Sequence, residues 1–273
     1  MNLPPLDLHA LMREYGLRPD KSLGQNFLGD PDALEQIVQA AEIKADDSVL
    51  EIGAGLGSLT RYLAASAKSV TALELDRGLL PALRAVLAPH PNVHLLEGDI
   101  LKLSPAKLVD QDDYLVVANV PYYITSAIFR RLLEKPPRPR RIVLTVQQEV
   151  AERVCANPGD LSLLALSIQV YGHPVITAHI PGDAFLPPPK VDSAVVRVDL
   201  YPEPVIPSPL LERFFRLAKA GFSQKRKTLR NSLSAGLAIS TSDAGQMLER
   251  VGIDPQRRAE TLSLAEWGRL SGV

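Results

Sequence analysis

The 273 residues carry 30 Lys+Arg against 31 Asp+Glu, a formal net charge of −1 at pH 7, with 46% hydrophobic and 22% charged residues. This balance excludes a disordered tail, a collagen-like rod and a coiled coil, and the single cysteine, Cys155, excludes a fold stapled by intramolecular disulfides. No apolar run approaches the ~20 residues needed to cross a bilayer, and the opening MNLPPLDLHALMREYG lacks the charged-then-apolar order of a signal peptide.

In chain order, residues 1–30 are polar and proline-punctuated, ending in the run KSLGQNFL at 21–28. Asp30-Pro31 is a helix start, with Asp at the N-cap and Pro at the first helical position. Leu34, Ile37, Val38 and Ala41 follow at helical spacing. Apolar runs at 48–52, 70–75, 93–96, 115–118 and 142–146 then alternate with helical patterns at 58–65, 79–87 and 124–133. Continuous apolar strands separated by helices predict a mostly parallel sheet covered on both faces, an α/β Rossmann-like fold. A helical stretch is expected at 158–170. The runs 175–180 and 194–200 lie too close for a helical crossover and are expected to form an antiparallel hairpin at one sheet edge. Pro202, Pro204, Pro207 and Pro209 form a stiff linker, so the expected domains are 1–206 and a small helical one, 207–273.

The segment SVLEIGAGLGS (48–58) runs from a strand through Gly53, Gly55 and Gly57 into a helix. Glycine allows close backbone approach to a ligand, and a helix start offers free N–H groups. Such a turn is by itself also compatible with an ordinary strand–helix connection. The dinucleotide pattern G-x-G-x-x-G/A is broken by Ser58 in its third position, which disfavours a nicotinamide dehydrogenase. Glu51 would repel a pyrophosphate, whereas S-adenosylmethionine carries a sulfonium and an amino group and no phosphate. Glu74 ends the second strand, 21 residues after Gly53, where an acid can accept both ribose hydroxyls. Asp99 follows the third strand, where a carboxylate can accept from an adenine amino group. Each acid alone reads as an ordinary surface group. Three of them, at successive strand ends, share the crevice where a doubly wound sheet binds ligands.

Asn119-Val120-Pro121-Tyr122 follows the fourth strand. An exocyclic adenine amine is a poor nucleophile, because its lone pair is delocalised into the ring. The Asn119 amide oxygen and the Val120 carbonyl can accept both of its hydrogens and favour a pyramidal nitrogen with its lone pair directed at the methyl donor. Pro121 stiffens the turn, and Tyr122 can stack on a base taken out of its strand. His9, His90, His94, His173 and His179 show no ligand-like clustering, so no metal is expected.

The Asn-x-Pro-Tyr motif resembles that of N6-adenine methyltransferases. Gln25-Asn26-Phe27-Leu28, the Glu51–Gly57 turn and the pattern F-x-P-x-P-x-V-x-S at 185–193 narrow this to a family. Together they resemble the small-subunit ribosomal RNA adenine dimethyltransferases, over about 21–270. The resemblance implies an S-adenosylmethionine-dependent enzyme that dimethylates two adjacent adenosines near the 3′ end of 16S ribosomal RNA, in the 30S subunit or its precursor. It implies cofactor contacts at Asn26, Leu28, Gly53, Glu74, Asp99 and Asn119, with Glu51 and Gly55 in the same turn. It also implies that Phe185 and Tyr122 sandwich the target adenine. Val120 stands where Leu or Ile is more usual, which leaves the backbone carbonyl intact. A cytoplasmic monomer with no membrane partner is expected.

Lys225, Arg226, Lys227 and Arg230 form a cationic run without an acid at 221–233. As a charge run it suits a solvated helix face or RNA phosphates. The run, like IDPQRRAE at 253–260, resembles the family's RNA-contacting stretches. Arg130, Arg131, Lys135, Arg138, Arg140 and Arg141 would extend the positive surface. The 23S ribosomal RNA adenine methyltransferases share the QNFL and Asn-x-Pro-Tyr motifs, but the KRKTLRN and RRAE segments point away from them. A mainly non-catalytic subunit-assembly factor is the alternative from another class. The near-neutral total divides unevenly: residues 1–206 hold 19 Lys+Arg and 25 Asp+Glu, and residues 207–273 hold 11 and 6. An acidic part suits a cationic cofactor, and a basic part suits RNA.

Overall fold

The five apolar runs expected to be parallel strands lie side by side in one sheet. The computed structural model describes residues 3–109 and 113–273. It opens with α1 (Leu8–Glu14) and β1 (Phe27–Leu28). Helices and strands then alternate: α2 (Pro31–Ala41), β2 (Ser48–Ile52), α3 (Ser58–Ser66), β3 (Ser69–Glu74), α4 (Leu80–Leu87), β4 (Val93–Glu97), β5 (Leu115–Asn119), α5 (Thr125–Glu134) and β6 (Arg141–Gln147). After these come α6 (Gln148–Val154), α7 (Leu163–Gln169), β7 (Gly172–Ile180), β8 (Phe185–Leu186) and β9 (Ser193–Leu200). The chain ends in α8 (Leu211–Gly221), α9 (Leu229–Leu237), α10 (Thr241–Glu249) and α11 (Leu264–Ser271).

Seven strands form the main sheet in the order β4-β3-β2-β5-β6-β9-β7. The pairs among β2 to β6 are parallel, and β9 runs antiparallel to β6. The expected hairpin strands, β7 and β9, are neighbours at one edge. Leu50, Val70, Leu115, Val117, Ile142 and Leu144 are completely buried, as residues of strands covered on both faces must be. The strand order reverses between β2 and β5, and this switch point opens a crevice at the strand C-terminal ends.

Local chemistry fixes the helices around it. In α2 the Asp30 carboxylate accepts from Ala33 N at 2.8 Å, Pro31 sits at the first position, and Leu34, Ile37, Val38 and Ala41 are buried. Complete burial of a side chain such as Ile37 contributes about 1.5–3 kcal/mol. The stretch expected to be helical at 158–170 is helical only over Leu163–Gln169, where Ser162 caps Ala165 N. The N–H groups of Gly159 and Leu161 donate to the Glu260 carbonyl instead, which holds 157–161 out of the helix.

The chain resolves into two units. One runs through Ala151 and includes Val175–Leu200; the other is Glu152–Pro174 with Tyr201–Val273. The second unit therefore takes in a segment before the proline linker, which a linear boundary at 206 leaves in the first. The causes are backbone bonds from Tyr201 N to Tyr171 O and Val205 N to Val170 O, and the stacking of Tyr171 on Phe215 at 6.4 Å. Within this unit α8 and α9 approach so closely that a Cβ at Gly236 would lie 2.6 Å from Ala220.

Several cations expected on a positive surface are paired. Arg140 binds Asp47 at 2.7 Å and Asp113 at 3.0 Å. Arg141 binds Glu42 at 2.9 Å and also Asp199, and Arg197 binds the same two acids. Arg131 donates to the Leu103 carbonyl, and Arg130 lies 3.8 Å from Glu134. These arginines fasten strand ends and a helix rather than forming a free positive face.

Candidate active site

The crevice at the switch point is built from five segments of the first unit: 23–28, the 51–59 turn, the end of β3, the end of β4 and 119–124, with Phe185 added from β8. Every catalytic and cofactor candidate singled out in the sequence lines it. Asn26, Leu28, Glu51, Gly53, Gly55, Glu74, Asp99, Asn119, Val120, Pro121, Tyr122 and Phe185 are brought together there. Among the described residues, three carboxyl groups and no Lys, Arg or His side chain line the crevice.

The glycine turn hangs on the end of β3. Gly53 N and Ala54 N both donate to the Leu73 carbonyl, at 2.8 and 3.2 Å. Gly55 N donates to Glu74 Oε2 at 2.7 Å, and Asp76 N to Glu74 Oε1 at 2.8 Å. Gly55 has φ +59°, and a Cβ there would meet the Phe27 ring at 3.2 Å, so both its conformation and its space call for glycine. Glu74 is 6% exposed, and burial raises its pKa against the pull of those backbone donors.

Glu51, on β2, is 1% exposed, and its Oε2 has no hydrogen-bond partner among the described residues. Burial, with a smaller contribution from the Glu74 charge, raises its pKa to about 8, and Thr60 opposes the shift. In the protein alone Glu51 is thus mostly the neutral acid at pH 7, where the sequence reading treats it as a charge. Asp99 accepts from Leu101 N at 2.9 Å and has Lys102 at 3.6 Å.

The 119–122 turn is held from two sides. Asn119 Nδ2 donates to the Asn26 carbonyl at 3.3 Å, which fixes the amide and leaves its oxygen to accept from another donor. The Tyr122 hydroxyl lies 2.7 Å from Ser193 Oγ, at the start of β9. Phe185 is placed by a two-stranded ladder in which β1 pairs antiparallel with β8, Phe27 opposite Leu186 and Leu28 opposite Phe185. Gly29 N extends this ladder to the Ala184 carbonyl at 3.0 Å. Two separate sequence motifs thus form one structural piece.

Sequence reasoning gave no role to Ser193, Gln25 or Tyr123. Gln25 takes Asp20 N on its Oε1 and donates to Asp76 Oδ2, both at 2.7 Å, which pins 20–26 beside the Glu74 turn. Tyr123 is 63% exposed at the crevice, and its ring would lie 3.2 Å from a Cβ at Gly24. Gln25 and Ser193 stand within quoted motifs, but their partners are remote in sequence. The cationic candidates lie in the second unit and do not line the crevice. Lys225, Arg226 and Lys227 are exposed in the turn before α9, and Arg230 is half-buried in its first turn.

The chain is similar to known proteins over nearly its whole length. Residues 17–272 match the model of a family described as ribosomal RNA adenine dimethylase. The chain is 47% identical over 262 residues to the ribosomal RNA small subunit methyltransferase A of Dehalococcoides mccartyi, covering 95% of this chain and 90% of that one. It is 40% identical over 274 residues to the protein of the same name from Alkaliphilus metalliredigens, covering 98% and 96%. Among solved structures, it is similar to a dimethyladenosine transferase from Plasmodium falciparum, with a TM-score of 0.76, 27% identity and coverage of 89% and 95%. It is also similar to the 23S rRNA methyltransferase ErmE, with a TM-score of 0.72, 30% identity and coverage of 90% and 98%.

Proposed function

This chain belongs to the ribosomal RNA adenine dimethylase family, and on that premise we propose how its own residues carry out the methylation. The chain is a ribosomal RNA adenine dimethyltransferase, and the 40–47% identity to enzymes named for the small subunit favours that RNA over the 23S alternative. The proposed targets are two adjacent adenosines of 16S RNA, in the 30S subunit or its precursor. The proposed worker is a monomer acting in the cytoplasm.

The crevice fits S-adenosylmethionine. Its lining holds Glu51, Glu74 and Asp99 and, among the described residues, no cation, which suits a ligand with a sulfonium and an ammonium better than a phosphate. The buried, unpartnered Glu51 Oε2 calls for a donor. In this reading Glu74 accepts from the ribose hydroxyls and Asp99 from an adenine amino group, with Leu75 and Ile100 as apolar neighbours in the lining. Asn26, Leu28, Gly53 and Gly55 complete the contacts. When bound, the cofactor supplies an electrophilic methyl group.

The observation that carries the mechanism is the fixed Asn119 amide, with its nitrogen committed to Asn26 and its oxygen left to accept. That oxygen and the Val120 carbonyl take the two hydrogens of the adenine amine. The nitrogen becomes pyramidal and its lone pair turns out of the ring plane into the crevice. Pro121 limits movement of the turn. Tyr122, held by Ser193, and Phe185, held by the β1–β8 ladder, stack on the two faces of the base. The methylated ammonium loses its proton readily, and the site then accepts the monomethylated amine for a second transfer. Lys225, Arg226, Lys227 and Arg230 are proposed to bind RNA phosphates.

Asn119→Ala tests this reading. Methyl transfer should fall by about a hundredfold or more, while cofactor affinity stays within about tenfold, because alignment is what the substitution removes. Full activity in Asn119→Ala contradicts the mechanism.

A further inference from the structure

A second groove lies on the other side of β8. Neighbouring residues on a strand point to opposite faces, and here Phe185 lines the crevice while Leu186 and Pro187 line the groove. The rest of its lining comes from α1 and the segment after it. Met12, Leu17, Pro19, Leu186 and Pro187 are its half-buried apolar residues, and the exposed side chains of His9, Arg13 and Arg18 stand beside them. Among the described residues, no carboxyl group lines it.

The groove is fastened to the site. Leu8 of α1 is buried in one apolar cluster with Phe27 and Leu56, and Met12, Leu17 and Leu186 pack against that cluster. Leu186 is also paired in register with Phe27 in the ladder that positions Phe185. The two cavities therefore meet at β8, which is two residues long.

We propose that this groove is a subsite for the nucleotide adjacent to the target adenosine, with Arg13 and Arg18 taking its phosphate and the apolar residues taking its base. The inference rests on the RNA-methylating reading of the crevice. With a base in the crevice against Phe185, a strand that passes the edge of β8 brings the neighbouring nucleotide to Leu186 and Pro187. Two guanidiniums offer forked donors that match phosphate oxygens. The half-buried apolar surface suits the face of a base without choosing among bases. The subsite thus contributes positioning rather than sequence readout.

The test is the double variant Arg13→Glu/Arg18→Glu, with Arg13→Gln/Arg18→Gln as the milder form should the first fail to fold. Binding to deproteinised small-subunit RNA and to 30S subunits is measured against salt, alongside cofactor affinity. We expect RNA binding weakened about tenfold or more and a log–log salt slope shallower by roughly 1–2, as for two lost phosphate contacts. The KM for RNA should rise while cofactor affinity is unchanged. A 4-thiouridine placed next to the target should crosslink to 12–18 or 186–187 in the wild type. Unchanged RNA affinity and salt slope overturn the proposal. Weakened binding to 30S subunits with unchanged binding to free RNA also overturns it and assigns the groove to a subunit protein. A wild type that binds RNA through these arginines but transfers no methyl group would refute the functional reading and leave the subsite standing.

Discussion

Glu51 gives up almost all contact with water, yet one of its oxygens finds no hydrogen-bond partner among the described residues. A carboxyl raised from 4.5 to about 8 by folding binds its proton more tightly in the native than in the unfolded state. Its stabilising effect is therefore full below pH 4.5 and is lost as pH rises toward 8, with a slope of up to about 1.4 kcal/mol per pH unit. Glu74 is shifted in the same direction and adds to the slope. Thermal unfolding of the cofactor-free protein between pH 5 and 8 should show Tm falling with pH, and Glu51→Gln should flatten that fall. An equally steep fall in Glu51→Gln would place the titrating group elsewhere. A cationic ligand beside Glu51 favours its ionised form, so the cost borne by the free protein becomes binding energy for the ligand class proposed.

Among the elements, β8 carries Phe185 and β9 anchors Tyr122. Ser193 begins β9, is completely buried, and holds the Tyr122 hydroxyl at 2.7 Å. Ser193→Ala leaves that hydroxyl unpaired, a cost of about 1–3 kcal/mol where the group is buried. It should raise the KM for RNA several-fold and leave cofactor affinity unchanged. Tyr122→Phe should act similarly, and the double variant should be less than additive if the two residues act as one unit. Additive effects would separate their roles. The same elements mark what the sequence made legible. The interior strands were readable from continuous apolar runs, and α2 from Asp30-Pro31. The expected helix at 158–170 lost its first turn because Gly159 and Leu161 spend their N–H groups on Glu260, a partner that no local pattern announces. The β1–β8 ladder was likewise hidden, since two-residue strands carry no periodicity. Its motifs were visible as residue types, but their pairing was not.

At the scale of the whole molecule, the near-zero net charge is the sum of unlike parts. Residues 1–206 hold 19 Lys+Arg and 25 Asp+Glu, and residues 207–273 hold 11 and 6. The structure sharpens this division, because Arg140, Arg141 and Arg197 of the acidic part are tied into ion pairs, whereas Lys225, Arg226 and Lys227 of the basic part remain exposed. A crevice whose charged lining residues, among those described, are all acids, and a cationic turn in the other unit, suit an enzyme that joins a cationic methyl donor to a polyanion. The most direct measurement is transfer of labelled methyl groups from S-adenosylmethionine to unmodified 30S and 50S subunits in parallel, followed by digestion to nucleosides. Label recovered as N6,N6-dimethyladenosine from 30S RNA is the predicted result; label in 50S RNA with none in 30S would contradict it.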